Sequence, residues 1–137
     1  MGPDDLVARW LDGLNRGDLP GLLELFAPEP RIRNAAHPPV QGPDAARDHL
    51  RGFFERTASR RFDLIDLAVV DDQIFAAWRG TVGFAKGAQM GPNTPRRPVE
   101  IELRGVDWLR LDDRGRIAEL EVVHETTTVA RAVSEAV

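Results

Sequence analysis

In the stretch "ELRGVDWLRL", residues 102–111, the alternate positions Leu103, Gly105, Leu109 and Leu111 are apolar or small, and Asp107 stands in the same row. A strand covered on one face alternates apolar and polar side chains. By that parity the carboxylate of Asp107 is expected to face the interior. An isolated interior carboxylate suffers a desolvation penalty, which it relieves by taking up a proton or by finding hydrogen-bond donors. A protonated acid can donate to a developing oxyanion, and an ionised one can abstract a proton. The plain structural alternative is that Asp107 bonds a backbone amide at a strand bend beside Gly105.

A second row offers companions. Ala118, Leu120 and Val122 alternate toward His124, which parity puts on the same interior face, leaving Glu125 outward unless a bulge intervenes. Histidine is the side chain best placed to exchange a proton near neutral pH. If the "DDRG" turn sets the register, Asp107 faces Leu120. His124 and Glu125 then lie about 13 to 17 Å from it at ordinary strand rise, acting at opposite ends of a guest. Asn34 closes the short extended piece "RIRNA", His37 follows it at a cavity rim, and His49 falls on the polar side of a helix. Trp10, Phe54, Trp78, Phe84 and Leu120 are expected to line the pocket, although aromatic residues at such spacings also build plain core.

Composition narrows the chemistry. The 137 residues include no cysteine and no tyrosine, which removes disulfides, thiol nucleophiles and thiolate metal sites. No HExxH, short-spaced histidine pair, nucleophile elbow or Walker loop occurs. The reading is therefore of chemistry with no metal and no cofactor. A net charge of −4 with scattered arginines argues against a nucleic-acid partner. No signal-like amino terminus or bilayer-length apolar run is found, so no membrane partner and a cytoplasmic location are expected.

The elements that must position these groups follow from periodicity. "PDDLVARWLDGLNRG" carries one apolar helical face between Pro3 and Gly17, and Asp18 suits the cap of a second helix through Leu19, Leu22, Leu23 and Phe26. A third helix is expected over 43–57, with Ala46, Leu50, Phe53 and Phe54 inward. The period then changes to two: "RFDLIDLAVV" and "IFAAWRGTVGFA" form a hairpin, a strand starts at Val99, and "RIAELEVVHETT" is the last strand. The final ten residues are read as a fraying short helix. Helices followed by long antiparallel strands make an α+β fold, read as one domain over 1–137.

The order of these elements resembles the nuclear transport factor two superfamily, especially its ketosteroid isomerase and SnoaL-like polyketide cyclase branches. "LNRGDLPGLLELFAPEPRIRN" is similar to that family's amino-terminal helix pair and first strand, and "GVDWLRLDDRGRIAEL" to its penultimate hairpin. The resemblance implies a cone-shaped, curved antiparallel sheet packed on three amino-terminal helices and enclosing a ligand cavity. It puts Asp107 where ketosteroid isomerases keep a protonated aspartic acid, with Asn34 at the position of their general base and Trp10 at that of their oxyanion tyrosine. An asparagine is no base, so steroid isomerisation itself is not implied. "PNTPRRPVEIELRGVDWLRL" and "GRIAELEVVHET" resemble the cyclases more closely, whose acid/base aspartate falls at Glu125 or His124.

The function implied is a cofactor-independent small-molecule enzyme of secondary metabolism. It would cyclise, isomerise or dehydrate (a lyase step) a hydrophobic carbonyl-bearing substrate of polyketide, steroid or terpenoid type. Asp107, His124, Glu125 and Asn34 would be its catalytic set. The alternatives are a non-catalytic ligand-binding or dimerisation module and an epoxide-type hydrolase. Val106 and Trp108, on the opposite face of the Asp107 strand, suggest a homodimer.

Overall fold

In the computed structural model, residues 1–34, 37–88, 94–125, 131, 132 and 135 are described. Helix α1 (Pro3–Arg16) begins at the proline expected to start it and ends at Gly17, whose φ of 67° caps the helix in the left-handed region. Its buried stripe is Leu6, Val7, Trp10, Leu11 and Leu14. Asp18 accepts the N–H of Gly21 at 3.1 Å and caps α2 (Leu19–Leu23). This helix is shorter than the apolar spacing implied, because the chain turns into strand β1 (Phe26–Asn34) at Phe26. β1 includes Pro28 and Pro30, and its ladder with the last strand is interrupted between Phe26 and Arg31.

Strand β2 (Val40–Gln41) folds back on β1, and α3 (Pro43–Arg56) follows with Ala46 and Leu50 buried. The remaining strands are β3 (Thr57–Val70), β4 (Gln73–Phe84), β5 (Val99–Leu111) and β6 (Ile117–His124). They form one six-stranded sheet in the order β2-β1-β6-β5-β4-β3. The sheet is mixed, whereas a wholly antiparallel one was expected: β1 runs parallel to β6, bringing the start of the chain beside its last strand. Part of the expected carboxy-terminal helix lies outside the described residues. Among the described residues, no helix is long and apolar enough to cross a membrane.

The inner face of the sheet is built of cross-strand rows. Ile32, Leu120, Leu109 and Ile74 make a base row, each at most 2% exposed. α1 lies across this face, and Trp10, Leu22, Phe62 and Trp78 belong to the same core. Leu64 and Val69 pair with Trp78 and Ile74 of the inner face but are 43% and 48% exposed. β3 is an edge strand, so their parity is right and their cover is missing.

Candidate functional site

The row above the base contains Asn34 on β1, Val122 on β6, Asp107 on β5 and Ala76 on β4. Asp107 faces inward, as its parity requires, and is 3% exposed. Its partners are two indoles. Trp10 Nε1 on α1 donates to Oδ2 at 2.9 Å, and Trp78 Nε1 on β4 donates to Oδ1 at 3.0 Å. Burial pushes the Asp107 carboxyl up to about 6, and the two indole bonds pull against that rise without cancelling it. The group is thus an acid that holds a proton at mildly acidic pH.

The indole of Trp78 reaches Asp107 because β5 has no side chain in its way. Trp78 is paired with Gly105, and a Cβ there would lie 2.8 Å from Trp78 Cε2 and 2.6 Å from the Val123 carbonyl oxygen. Trp10 and Trp78 were expected to line a guest pocket; instead they are the donors of the carboxylate. A signal for this exists in the sequence. A buried indole N–H needs an acceptor, Asp107 needs donors, and parity puts Trp78 and Asp107 on one face.

His124 is inward and half-buried, while Glu125, just past the strand, is exposed. His124 pairs with Gly105 and Val122 with Asp107, so His124 is diagonal to Asp107, about 7–8 Å away between backbones. That corrects the longer separation and the Asp107 to Leu120 register. The turn closes with the Asp112 N–H on the Arg116 carbonyl, and the ladder then skips Ala118 between Leu111↔Ile117 and Arg110↔Glu119. Each feature moves the register by one residue.

Two side-chain atoms in this region are buried with no hydrogen-bond partner among the described residues: Asn34 Oδ1 and His124 Nδ1. Asn34 pairs with Val122, and His124 lies two residues further along the same strand, so both atoms belong to one corner of the inner face. An acceptor and a ring nitrogen, each desolvated and unmet, are what a polar guest group would satisfy.

The other expected lining residues scatter. Leu120 is 2% exposed and part of the base row. Phe84 pairs with Val99 at the far end of β5 and packs both on the main core and on a small cluster of Val99 and Ile101. Phe54 is half-buried beneath the Arg60 guanidinium, 4.9 Å from its ring centre. His37 is exposed, and its ring meets that of His49, which is half-buried where the polar side of α3 was expected to be open. One cleft, of about 440 Å³, runs between α2, β1 and α3 and includes Phe26, Pro30, Arg47 and Arg116. A second, about 310 Å³, lies on the outer face around Trp108 and Arg110. Neither touches Asp107. Among the described residues, no group of three or more His, Cys, Asp or Glu side chains is arranged to hold a metal.

Comparison with known proteins gives a consistent family and fold. The SnoaL-like domain family matches residues 7–120. A SnoaL-like polyketide cyclase candidate from Shewanella denitrificans OS-217 superposes with a TM-score of 0.83 at 16% identity, over 96% of each chain. IdmH, a polyketide cyclase candidate from Streptomyces antibioticus, gives 0.76 at 20% identity over 98% of this chain and 99% of its own. An LEH-like epoxide hydrolase from M. tuberculosis gives 0.72 at 12% identity over 96% of this chain and 89% of its own. At these identities the likeness is one of fold. No curated protein matches the sequence.

Proposed function

The chain belongs to the SnoaL-like domain family, within the NTF2-like superfamily, and from that premise we propose that it is a cofactor-independent enzyme. It moves a proton within a compact, hydrophobic, carbonyl-bearing molecule of polyketide or steroid/terpenoid type. The observation that carries this reading is the corner where Asn34 Oδ1 and His124 Nδ1, with no partner among the described residues, stand beside the buried acid Asp107.

His124 Nδ1 takes a proton from the carbon next to the guest's carbonyl, and the electron pair moves onto the carbonyl oxygen as an enolate. The indoles fill two of roughly four acceptor positions on the Asp107 carboxyl, so the acid can hold a proton at a remaining one and donate it toward that oxygen. Asn34 Oδ1 accepts from a guest hydroxyl and orients the guest. Returning the proton to another carbon isomerises the guest, attack of the enolate carbon on a second carbonyl cyclises it, and loss of a hydroxyl as water dehydrates it. Glu125, exposed at the end of β6, would act only at the rim.

Two alternatives each have a supporting observation. The bonding of both Asp107 oxygens within the fold favours a binding module without turnover. The unmet acceptor on Asn34 favours a held water, as an epoxide-type hydrolase would need. The proposal also includes a single domain, a cytoplasmic setting and a homodimer. The dimer is supported by Val106 and Val123, 37% and 54% exposed on the outer face beside the stacked rings of Phe75 and Trp108, 5.5 Å apart. Light scattering at micromolar concentration is expected to give twice the chain mass, and Val123→Lys half of that.

The chemistry is tested by deuterium uptake. In heavy water the protein is expected to exchange protons next to the carbonyl of a planar 1,3-diketone probe, and His124→Ala to slow this by about 100-fold or more. Binding of the probe with no exchange would select the binding module. Equal rates in both proteins would remove His124 from its role.

A further inference from the structure

Asn34 is the last residue of β1, and its neighbourhood away from β6 contains contacts that the proposed chemistry does not use. Its backbone carbonyl accepts the N–H of His37 at 2.8 Å. The ring of His37 meets the ring of His49 edge to face, with centres 5.3 Å apart and planes at 88°. His49 is on α3, immediately before Leu50, which is 4% exposed and anchors that helix in the core. On the far side of His37 the chain returns to β1 through Val40 opposite Ile32 and Gln41 opposite Arg31.

We infer that His49 is a positioning residue of the site, acting through His37 to fix the end of β1 and with it the amide of Asn34. The inference rests on the reading of Asn34 as the group that orients the guest. α3 is held by apolar burial, so it supplies a fixed point. The edge-to-face contact passes that fixed point to His37, whose N–H fixes the Asn34 carbonyl. Among the described residues, β2 pairs with β1 at Arg31 and Ile32 and stops short of Asn34, which pairs with Val122 of β6.

The contact also has a preferred protonation state. Edge-to-face packing suits two neutral rings, and two imidazolium ions at this distance repel. Burial first, then His37 across the contact and Arg56 further along α3, hold the proton affinity of His49 below the ordinary value of 6.5. The packed state therefore binds fewer protons than the released one. Its stability is present above pH 6.5 and falls as pH drops below that value toward the lowered one.

The test is amide hydrogen exchange at His37, read by NMR at pH 7.5 and 5.5 and corrected for the intrinsic rate at each pH. The wild-type chain is expected to protect this amide at least about tenfold more at pH 7.5 than at 5.5. His49→Phe should protect it equally at both, because a neutral ring of similar shape keeps the contact and cannot titrate. His49→Ala should lose the protection at both, with the Leu109 and Ile74 amides as the check that the core stays folded. Equal wild-type protection at the two pH values, or protection retained in His49→Ala, would overturn the inference. The readout needs no turnover, so its failure is distinct from failure of the diketone assay.

Discussion

Trp10 and Asp107 come from the first helix and the fifth strand, and the indole N–H of one donates to the carboxylate of the other at 2.9 Å, across 97 residues of chain. Together with Trp78 this bond ties α1 to the sheet at the level of the proposed site. Trp10→Phe keeps most of the apolar volume and removes the donor. It is expected to lower the unfolding free energy by about 1–3 kcal/mol, the cost of leaving one buried polar group short of a partner. Urea titration of Trp10→Phe, Trp78→Phe and the double variant checks this. The two effects should not add, since both act on one carboxylate.

The same carboxyl makes stability depend on pH in an unusual direction. Its affinity for a proton is raised from the ordinary 3.8 to about 6 in the folded chain, so between these values the folded state binds more protons than the unfolded one. This group's stabilisation is complete below pH 3.8 and is lost as pH rises through 6, at up to about 1.4 kcal/mol per pH unit within that window. Denaturant midpoints measured from pH 4 to 7 should therefore diverge from those of Asp107→Asn, with the wild type losing ground as pH rises. The indole N–H resonances of Trp10 and Trp78 should titrate together near pH 6. A flat difference curve would show that the acid stays charged.

Gly105→Ala tests how the carboxylate is reached. The added methyl would sit 2.6 Å from a backbone oxygen that cannot swing away, that of Val123, and against the Trp78 ring. The expected cost is about 1–3 kcal/mol from overpacking. A changed Trp78 N–H shift, with that of Trp108 unmoved on its Gln73 partner, would report release of the indole from Asp107. An unchanged Trp78 signal would show that the ring has room.

Asn34→Leu should separate stability from function. The amide oxygen is buried and has no partner among the described residues, so replacing it with an apolar group of similar size should raise the unfolding free energy by about 1 kcal/mol. The same change should abolish binding of a hydroxyl-bearing probe, measured by calorimetry. Loss of stability instead would mean that Asn34 has a structural role.

The alternation of Val99, Ile101, Leu103, Gly105, Leu109 and Leu111 was enough to put Asp107 inside, and the apolar stripes gave α1 and α3 to within a residue. Local chemistry such as the Asp18 cap was equally readable. Pairing across the sheet was not. Pro28 and Pro30 disguise the length of β1, and no periodicity tells that it will run parallel to β6. The turn's closure and the skipped residue at Ala118 each shift the ladder by one without a mark in the sequence, which is why His124 lies nearer Asp107 than turn counting implies. Phe84 shares the right parity and touches the core but pairs with Val99, at the far end of β5 from Asp107, because parity fixes a face and says nothing of distance along it.

The parallel pairing of β1 with β6 has a consequence for how the protein is born. Asn34 leaves the ribosome well before Val122, beside which it settles, and non-local pairings of this kind form late. Until then β1 has only the two-residue β2 to cover its backbone, and the corner holding Asn34 and His124 cannot exist on a nascent chain. The corner therefore closes only when the sixth strand slots between the first and the fifth.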